Sequence, residues 1–477
     1  MATPIPDNNA AFTTAEIQAA TGAVAVNAPV PGFSVSGVAT DTRANLKGKL
    51  FVALKGETFD AHRFVTQAAV AGAAAVMVEQ DVEATGVPLF KVPSCLDALG
   101  QLAQAHRGRW GGTVVAVGGS AGKTTTRCAI TALLNAVLPG VVHSSVGNLN
   151  NRVGVPMVLF GLQAQHRVAV IEVGTNQRGE VPILAQVTAP NIALLTLVDL
   201  EHSEGLGGLD EIEAEEGALL AHASEIAIAN GDDARAVRQL ANCKVQQIRY
   251  GSSANCEYRI LERQLLSLKR SAVSFRSAQR SDATTFSTSL LGMPGAMAAL
   301  AAVCVADAIT HAAVAPQVIT NALENQGVGE VGRLRPVELK DATLLLDDSY
   351  NANPASMRAS IDVAREIARL RGTRLLLVLG EMLELGAWSA AEHASMGAEA
   401  AKSGAAGLIA VGGDSSKMFE VATKAGMPGQ FVATADLATV ELERWVRPGD
   451  VVLFKASRGI GLEKVVSALA HKKGRAA

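Results

Sequence analysis

Val114-Val115-Ala116-Val117 runs directly into Gly118-Gly119-Ser120-Ala121-Gly122-Lys123-Thr124-Thr125, and this stretch decides the fold around it. Four apolar residues without a polar break read as a buried strand, the glycines end it, and Thr124 to Val137 continues with helical periodicity. A strand, a glycine loop and a helix in that order turn backbone N–H groups and the positive end of a helix toward an anion. Lys123 would meet the β and γ phosphates of a nucleotide triphosphate, and Thr124 would offer its hydroxyl to Mg²⁺. The loop has the short G-x-x-G-K-T form, because Val117 stands where the longer pattern has glycine. The competing reading, a plain strand-to-helix turn, is disfavoured by the strand and helix that flank it. The expected cofactors are therefore ATP and Mg²⁺, with Gly119, Ser120, Ala121, Gly122, Lys123, Thr124 and Thr125 around the nucleotide.

Outward from the loop, Val168-Ala169-Val170-Ile171-Glu172, Ile192-Ala193-Leu194-Leu195 and Glu225-Ile226-Ala227-Ile228-Ala229 are further buried-strand candidates. Helical stretches alternate with them, which favours a largely parallel sheet. Upstream, the runs Lys49 to Leu54 and Ala74 to Val78 belong to a small α/β module that closes with the helical Gln101 to Trp110. Cys243 to Leu291, richer in Ser, Arg and Thr, reads as a more antiparallel and exposed sheet. A third set begins near Gly332, with strands at Ala342–Leu346, Leu375–Leu379, Leu408–Val411 and Val451–Phe454 and helices at Ser356–Arg369 and Ala390–Lys402. The expected fold class is α/β in three domains: a small α/β domain at 1–111, a central P-loop ATPase-like domain with mostly parallel sheet at 112–330, and a Rossmann-like domain at 331–477.

A chain of 477 residues fits about three domains of ordinary size. Hydrophobic residues at 49% against 18% charged exclude a disordered chain, and a net charge of −3 argues against general affinity for nucleic acid or anionic membrane. The five cysteines form no C-x-x-C pair and read as reduced thiols. Met1 to Ala20 lacks a basic cluster followed by an apolar core, and no run of about 18 uninterrupted apolar residues follows, so the expected location is cytoplasmic without membrane insertion. Two further residues are candidate metal ligands. Glu172 ends an apolar strand, where ligands of open α/β sheets collect, and His202 follows the strand that begins at Ile192. Their bland alternatives are a solvated strand end and an exposed loop histidine.

From about Asp41 to Glu463 these segments resemble the Mur ligase family. The most specific element is Asp347-Asp348-Ser349-Tyr350-Asn351-Ala352-Asn353-Pro354, characteristic of the branch that joins D-alanyl-D-alanine to UDP-N-acetylmuramoyl-tripeptide. Asp41-Thr42-Arg43, Phe51 to Glu57, Asp60-Ala61-His62, Gly147-Asn148-Leu149-Asn150-Asn151 and Gly380 to Gly386 support it. The resemblance implies a UDP-muramyl-binding domain, an ATPase domain and a C-terminal domain that closes over the nucleotide. It also implies a reaction: the γ-phosphate of ATP passes to the peptide carboxylate, and the amine of D-alanyl-D-alanine attacks the acyl phosphate. Such a transfer needs positioning and charge neutralisation rather than a protein nucleophile.

Carried over by motif, Lys123, Glu172, His202 and Arg333 are the expected catalytic residues, with Arg333 at the phosphates and Asp348 at the ribose hydroxyls. Thr42, Arg43, His62, Asn148, Asn151, Asn351 and Asn353 are expected near the substrates, which are the UDP-muramyl-tripeptide and D-alanyl-D-alanine. Thr124, Glu172, His202 and Glu216 are the expected metal set, in a chain expected to be monomeric. Lys455 would meet substrate or cap a strand.

The sequence departs from the family pattern at several places. Ala121 replaces an Asn in the loop, Ala456 replaces a Gly, and Pro294 and Ala298 stand where a G-x-H-x-x-x-N segment has its His and Asn. Where the family typically has a carbamylated lysine, this chain has Glu213-Ala214-Glu215-Glu216-Gly217, with Glu216 the equivalent residue or else part of a solvated acidic helix face. These departures leave a second expectation: a ligase-fold protein that binds nucleotide or UDP-sugar without turnover. A P-loop kinase of another small molecule would leave the C-terminal motifs without a role.

Overall fold

The computed structural model of the chain describes residues 3–27, 30–83, 86–324 and 330–475, and it contains three large sheets in sequence order. The outermost ends of the first and third expected domains, 1–2 and 476–477, lie outside the described residues. The first sheet has five strands in the order Val24–Val26, Leu89–Lys91, Ala75–Val78, Leu50–Val52, Val38–Ala39, and only its outermost pair at Val24–Val26 is antiparallel. Helix Cys95–Trp110 leads from it into the second sheet, capped by Ser94 and ended by Gly111 in the left-handed region.

The second sheet has nine strands, in the order Thr284–Thr288, Arg270–Ser277, Tyr258–Ser267, Gln246–Gly251, Ile226–Asn230, Ile192–Leu195, Thr113–Gly118, Val168–Glu172, Val142–Ser144. Pairing is parallel from Val142–Ser144 as far as Tyr258–Ser267 and antiparallel beyond it. The expected antiparallel segment is thus an extension of the central sheet rather than a separate one. The strand that opens the phosphate loop connects onward to Val142–Ser144 on one side of the sheet, whereas its neighbour Ile192–Leu195 connects onward to Ile226–Asn230 on the other. Its carboxyl end is therefore the topological switch point, where open α/β sheets bind ligands. Helix Lys123–Val137 buries Ile130, Leu133 and Leu134 at helical spacing and packs against helix Gly292–Thr310. That second helix is long and apolar enough to cross a membrane, but 72% of its most apolar window is buried inside the protein. Its small, apolar side chains make it a core helix of the central domain.

The third sheet runs Arg335–Glu338, Leu344–Asp348, Val451–Lys455, Leu375–Gly380, Gly407–Val411, Gly429–Val432, antiparallel only at its first pair. Helices Pro354–Arg371 and Ser389–Lys402 stand where the sequence places them, with slightly different ends. The strand expected from Ala342 begins two residues later, because Ala342 has φ of 64° in a turn that Asp341 stabilises by accepting from the Thr343 N–H at 3.1 Å. Between the second and third sheets lies a cavity of 1420 Å³ whose wall includes Lys123, Thr124, Glu172, Arg333, Asp348 and Asn353.

Candidate active site

The glycine loop is held open from below. Thr196 Oγ1 donates toward the carbonyls of Gly118 at 3.0 Å and Ala121 at 2.7 Å, and the Ser120 N–H donates to the Leu197 carbonyl at 2.8 Å. Gly119 has φ of 116°, and a Cβ there would stand 2.3 Å from Thr196 Oγ1, so only glycine fits. Gly122, with φ of 86°, turns the chain into helix Lys123–Val137, whose first intrahelical bond is Thr126 N–H to the Gly122 carbonyl. The N–H groups of the first turn, Lys123 to Thr125, have no intrahelical partner and face the cavity end of the loop. Two expected cradle amides are not available: Ser120 N–H is committed to Leu197, and Gly119 N–H donates to Glu216 Oε2 at 2.8 Å. The phosphate seat is accordingly narrower than the motif suggests, running from Ala121 to Thr125.

Lys123 Nζ donates to the Gly119 carbonyl and, at 2.7 Å, to Glu201 Oε1. Burial alone would lower the pKa of its ammonium, but Glu201, Glu216 and Glu172 around it reverse the effect and raise it. Glu201 is 5% exposed and its other oxygen lies 3.4 Å from Asn353 Nδ2. The same Asn353 amide donates to the Ser120 carbonyl at 3.0 Å, while its oxygen accepts from the Ser356 N–H and caps helix Pro354–Arg371. Asn353 thus joins the third sheet's first helix to the phosphate loop. The sequence offered this asparagine as a substrate ligand, and its buried amide is spent on protein instead.

Glu172 is fully enclosed at the end of strand Val168–Glu172. Oε1 accepts from Thr124 Oγ1 at 3.1 Å and Asn150 Nδ2 at 2.9 Å, and Oε2 accepts from Arg127 Nε at 3.2 Å. Arg127 lies one helical turn beyond Lys123, which sets its guanidinium beneath the loop, where it also pairs with Glu330 and donates to the Ser145 carbonyl. From the third domain Arg333 Nη2 donates to Thr124 Oγ1 at 3.1 Å, and the guanidinium lies 4.2 Å from the centre of the Tyr350 ring. Arg458 stacks on the same ring at 4.8 Å. Among the described residues two buried atoms in this cluster have no hydrogen-bond partner: Arg333 Nε, a donor, and Glu216 Oε1, an acceptor. An orphaned donor and an orphaned acceptor at one site fit an anionic group accompanied by a cation.

Asp348 and Lys455 end neighbouring strands in register and form a buried ion pair at 2.6 Å. Asp348 also accepts from the Leu334 N–H at 3.0 Å and Ser360 Oγ at 2.6 Å, so it fixes the turn that carries Arg333. Lys455 donates in addition to the Asn351 carbonyl at 3.0 Å. Pro294 and Ala298, which replace the family's polar pair, form an apolar section of the cavity wall with Leu290, Leu291 and Met297.

The expected metal set does not assemble as four ligands. Among the described residues no three His, Cys, Asp or Glu side chains form a metal cage. Mg²⁺ commonly uses one or two protein oxygens together with phosphate oxygens and waters, so Thr124 and Glu172 alone are a sufficient protein share. His202 lines the cavity, yet its Nδ1 pairs with Glu384 of the third domain. Glu216 is not solvated, and its Oε2 is tied to the Gly119 N–H. It is completely buried, and burial pushes its carboxyl well above the usual range, with Lys123 opposing and Glu201 adding to the rise.

The acidic stretch as a whole is not a solvated face. On helix Leu209–Ala221, Glu215 caps helix Glu180–Thr188 by accepting from the N–H groups of Gly179 at 2.8 Å and Val181 at 2.7 Å. Glu213 binds Arg238, Gln239 and Arg235. Hydrogen bonding, from Arg238 most of all, outweighs burial and lowers its carboxyl from 4.5 to about 2. A depressed carboxylate contributes stability that is complete above the unfolded-state value and is lost as pH falls toward the folded-state one. The urea midpoint of the wild type is therefore expected to drop between pH 4.5 and 2 more steeply than that of Glu213→Gln. Parallel acid limbs would remove Glu213 from the account.

In the N-terminal domain Thr42 and Arg43 sit in a turn outside the cavity wall, where Arg43 pairs with Asp41. His62 requires correction as a substrate ligand. Its ring is buried, Nδ1 meets Asp60 Oδ1 at 2.6 Å and Nε2 accepts from the Glu79 N–H at 3.0 Å, leaving no ring nitrogen for a sugar. Asn148 and Asn151 do line the cavity. Asn148 Oδ1 accepts from Thr3 Oγ1, and Asn151 Oδ1 accepts from the Val153 and Gly154 N–H groups, so each keeps its NH₂ for a ligand. Sequence reasoning missed Glu201, Arg127 and Glu384. The signal for Arg127 was its place four residues after Lys123 on one helix face.

Three family descriptions match in order: Mur ligase family, catalytic domain, over residues 34–107; Mur ligase middle domain over 117–306; and Mur ligase, glutamate ligase domain, over 332–458. A UDP-N-acetylmuramoyl-tripeptide--D-alanyl-D-alanine ligase of Escherichia coli (strain K12) is 34% identical over 454 residues, 92% of this chain and 94% of that one. The enzyme of the same name from Synechocystis is 33% identical, covering 91% and 92%. A crystal structure of MurF from Acinetobacter baumannii superposes with a TM-score of 0.86 at 29% identity, covering 98% of this chain and all of that one. MurF ligase from Thermotoga maritima in complex with ADP gives 0.78 at 25% identity, covering 91% and 97%. With its three domains matched in order and its length spanned by such relatives, the chain belongs to the Mur ligase family.

Proposed function

We propose that the chain is the ATP-dependent ligase that adds D-alanyl-D-alanine to UDP-N-acetylmuramoyl-tripeptide, a step of peptidoglycan precursor synthesis. The relatives named for this reaction span nearly the whole chain. The observation in the site that carries the reading is Arg333 of the third domain reaching Thr124 of the phosphate loop across one shared cavity. Nothing there favours binding without turnover, since Lys123, Thr124, Glu172 and Arg333 surround the same space.

In this reading 1–111 holds the UDP-muramyl group, 112–330 the ATP phosphates, and 331–477 closes over the nucleotide. The amides of Ala121 to Thr125, with Lys123 and Arg333, hold the phosphates and neutralise charge as the tripeptide carboxylate attacks the γ-phosphorus. The bond to the β-phosphate oxygen breaks, and ADP is the leaving group as the acyl phosphate forms. The amine of the dipeptide then attacks the acyl carbon, and phosphate departs. Thr124 and Glu172 would hold Mg²⁺, which supplies further charge neutralisation at the phosphates when bound. Adenine lies along the apolar wall at Leu290 to Ala298. Asp348 stands near the ribose but acts first as the anchor of Arg333 and Lys455. Asn148 and Asn151, at the central domain's edge of the cavity, face the muramyl peptide. A cytoplasmic, monomeric enzyme is part of this reading.

Phosphate release from ATP, measured with each substrate alone and with both, tests the reading. Release that demands both supports the ligase, and bound ATP with no release under any combination refutes it.

A further inference from the structure

Lys123, the only cation the phosphate loop itself supplies, is not waiting free. Its ammonium is already paired with Glu201, a side chain from the segment after strand Ile192–Leu195. Both ends of this pair are largely enclosed, with side chains 13% and 6% exposed, so the contact is a charge-assisted bond shielded from water rather than a surface ion pair. The second carboxylate oxygen is steadied by Asn353, which also grips the Ser120 carbonyl inside the loop. The other charged groups around Lys123 are Glu216, which is tied to the Gly119 N–H, and Glu172, which is tied to Thr124, Asn150 and Arg127. Among the described residues Glu201 is the one carboxylate that hydrogen-bonds the ammonium, and no expectation from sequence assigned it a role.

We propose that Glu201 is a positioning residue that stands in for phosphate: it holds Lys123 at the mouth of the loop until nucleotide arrives, and nucleotide binds by exchanging a phosphate oxygen for the Glu201 carboxylate. This rests on the reading of the loop as the ATP site. No bond is made or broken beyond the ion pair. The exchange has a cost, because an enclosed ion pair must open and a displaced carboxylate must remain near a polyanion. Glu201 therefore weakens nucleotide binding while keeping the empty loop ordered, and when ADP leaves, Lys123 has a partner to return to.

The distinguishing experiment is Glu201→Gln, which keeps the shape and the Asn353 contact but removes the competing charge. ATP, ADP and inorganic tripolyphosphate are expected to bind about tenfold more tightly to this variant than to wild type, in calorimetry at fixed Mg²⁺. Adenosine, which has no phosphate, is expected to bind both alike. In a Lys123→Ala background the same substitution is expected to give no gain, since the effect acts through Lys123. Unchanged or weaker ATP binding by Glu201→Gln, or an equal shift for adenosine, overturns the proposal, as a merely structural role would move all ligands together. Should Glu201→Gln not fold, Glu201→Asp withdraws the carboxylate by one methylene and is expected to shift affinity in the same direction, with no gain again counting against the exchange. Wild type that binds neither ATP nor tripolyphosphate would instead refute the ATP reading itself, so the two failures are separable.

Discussion

Lys123→Ala is expected to lower kcat/KM for ATP-dependent ligation by at least about 10³-fold, because it removes the loop's own cation from a site where charge neutralisation is the main source of rate. Arg333 remains, but it comes from the other domain and is positioned through Asp348 and Tyr350 rather than by the loop. Glu201 is left enclosed without its cation, so some loss of stability accompanies the loss of activity. Lys123→Met, closer in length, separates the two effects. Initial rates with both substrates, together with the urea midpoint of each variant, make the check. Turnover within tenfold of wild type in a folded Lys123→Ala protein would contradict the assignment of the loop.

Glu172→Gln is the second large effect. The amide oxygen can still accept from Thr124 and Asn150, but the NH₂ in place of Oε2 cannot accept from Arg127 Nε, so the volume is kept while the charge and that one contact are lost. Ligation is expected to fall by about 10² to 10³-fold, and the Mg²⁺ concentration for half-maximal rate is expected to rise. Glu172→Ala goes further. It leaves Arg127 buried with only Glu330 and the Ser145 carbonyl, and breaking such a pair costs roughly 3–5 kcal/mol of folding stability. Denaturant unfolding and a Mg²⁺ titration of rate distinguish the two substitutions. An unchanged Mg²⁺ requirement in Glu172→Gln would place the metal elsewhere.

Local pattern made the phosphate loop and the strands around it legible, since strand Val168–Glu172 and strand Ile192–Leu195 occupy the residues that apolar runs mark. Ala342 was misread because hydrophobicity carries no record of a left-handed turn. What the site contains beyond the motifs depends on contacts between distant segments. Lys123 and Glu201 are separated by 78 positions, and Arg333 and Thr124 by 209, distances over which spacing says nothing. Family motifs identify which residues gather but not what each already binds. His62 has both nitrogens occupied, Asn353 gives its amide to protein, and Glu216 turns to the Gly119 N–H. Each of these is a buried polar group whose partner must be found within the fold, and only the fold shows which partner that is.

The most direct measurement follows oxygen from the tripeptide. With both oxygens of its terminal carboxylate labelled as ¹⁸O, passage through an acyl phosphate transfers one label to inorganic phosphate and leaves the other in the new amide. Mass spectrometry of both products is expected to find one ¹⁸O in each. Amide formed without label in the phosphate, or phosphate released without amide, would contradict a ligase that activates this carboxylate with ATP.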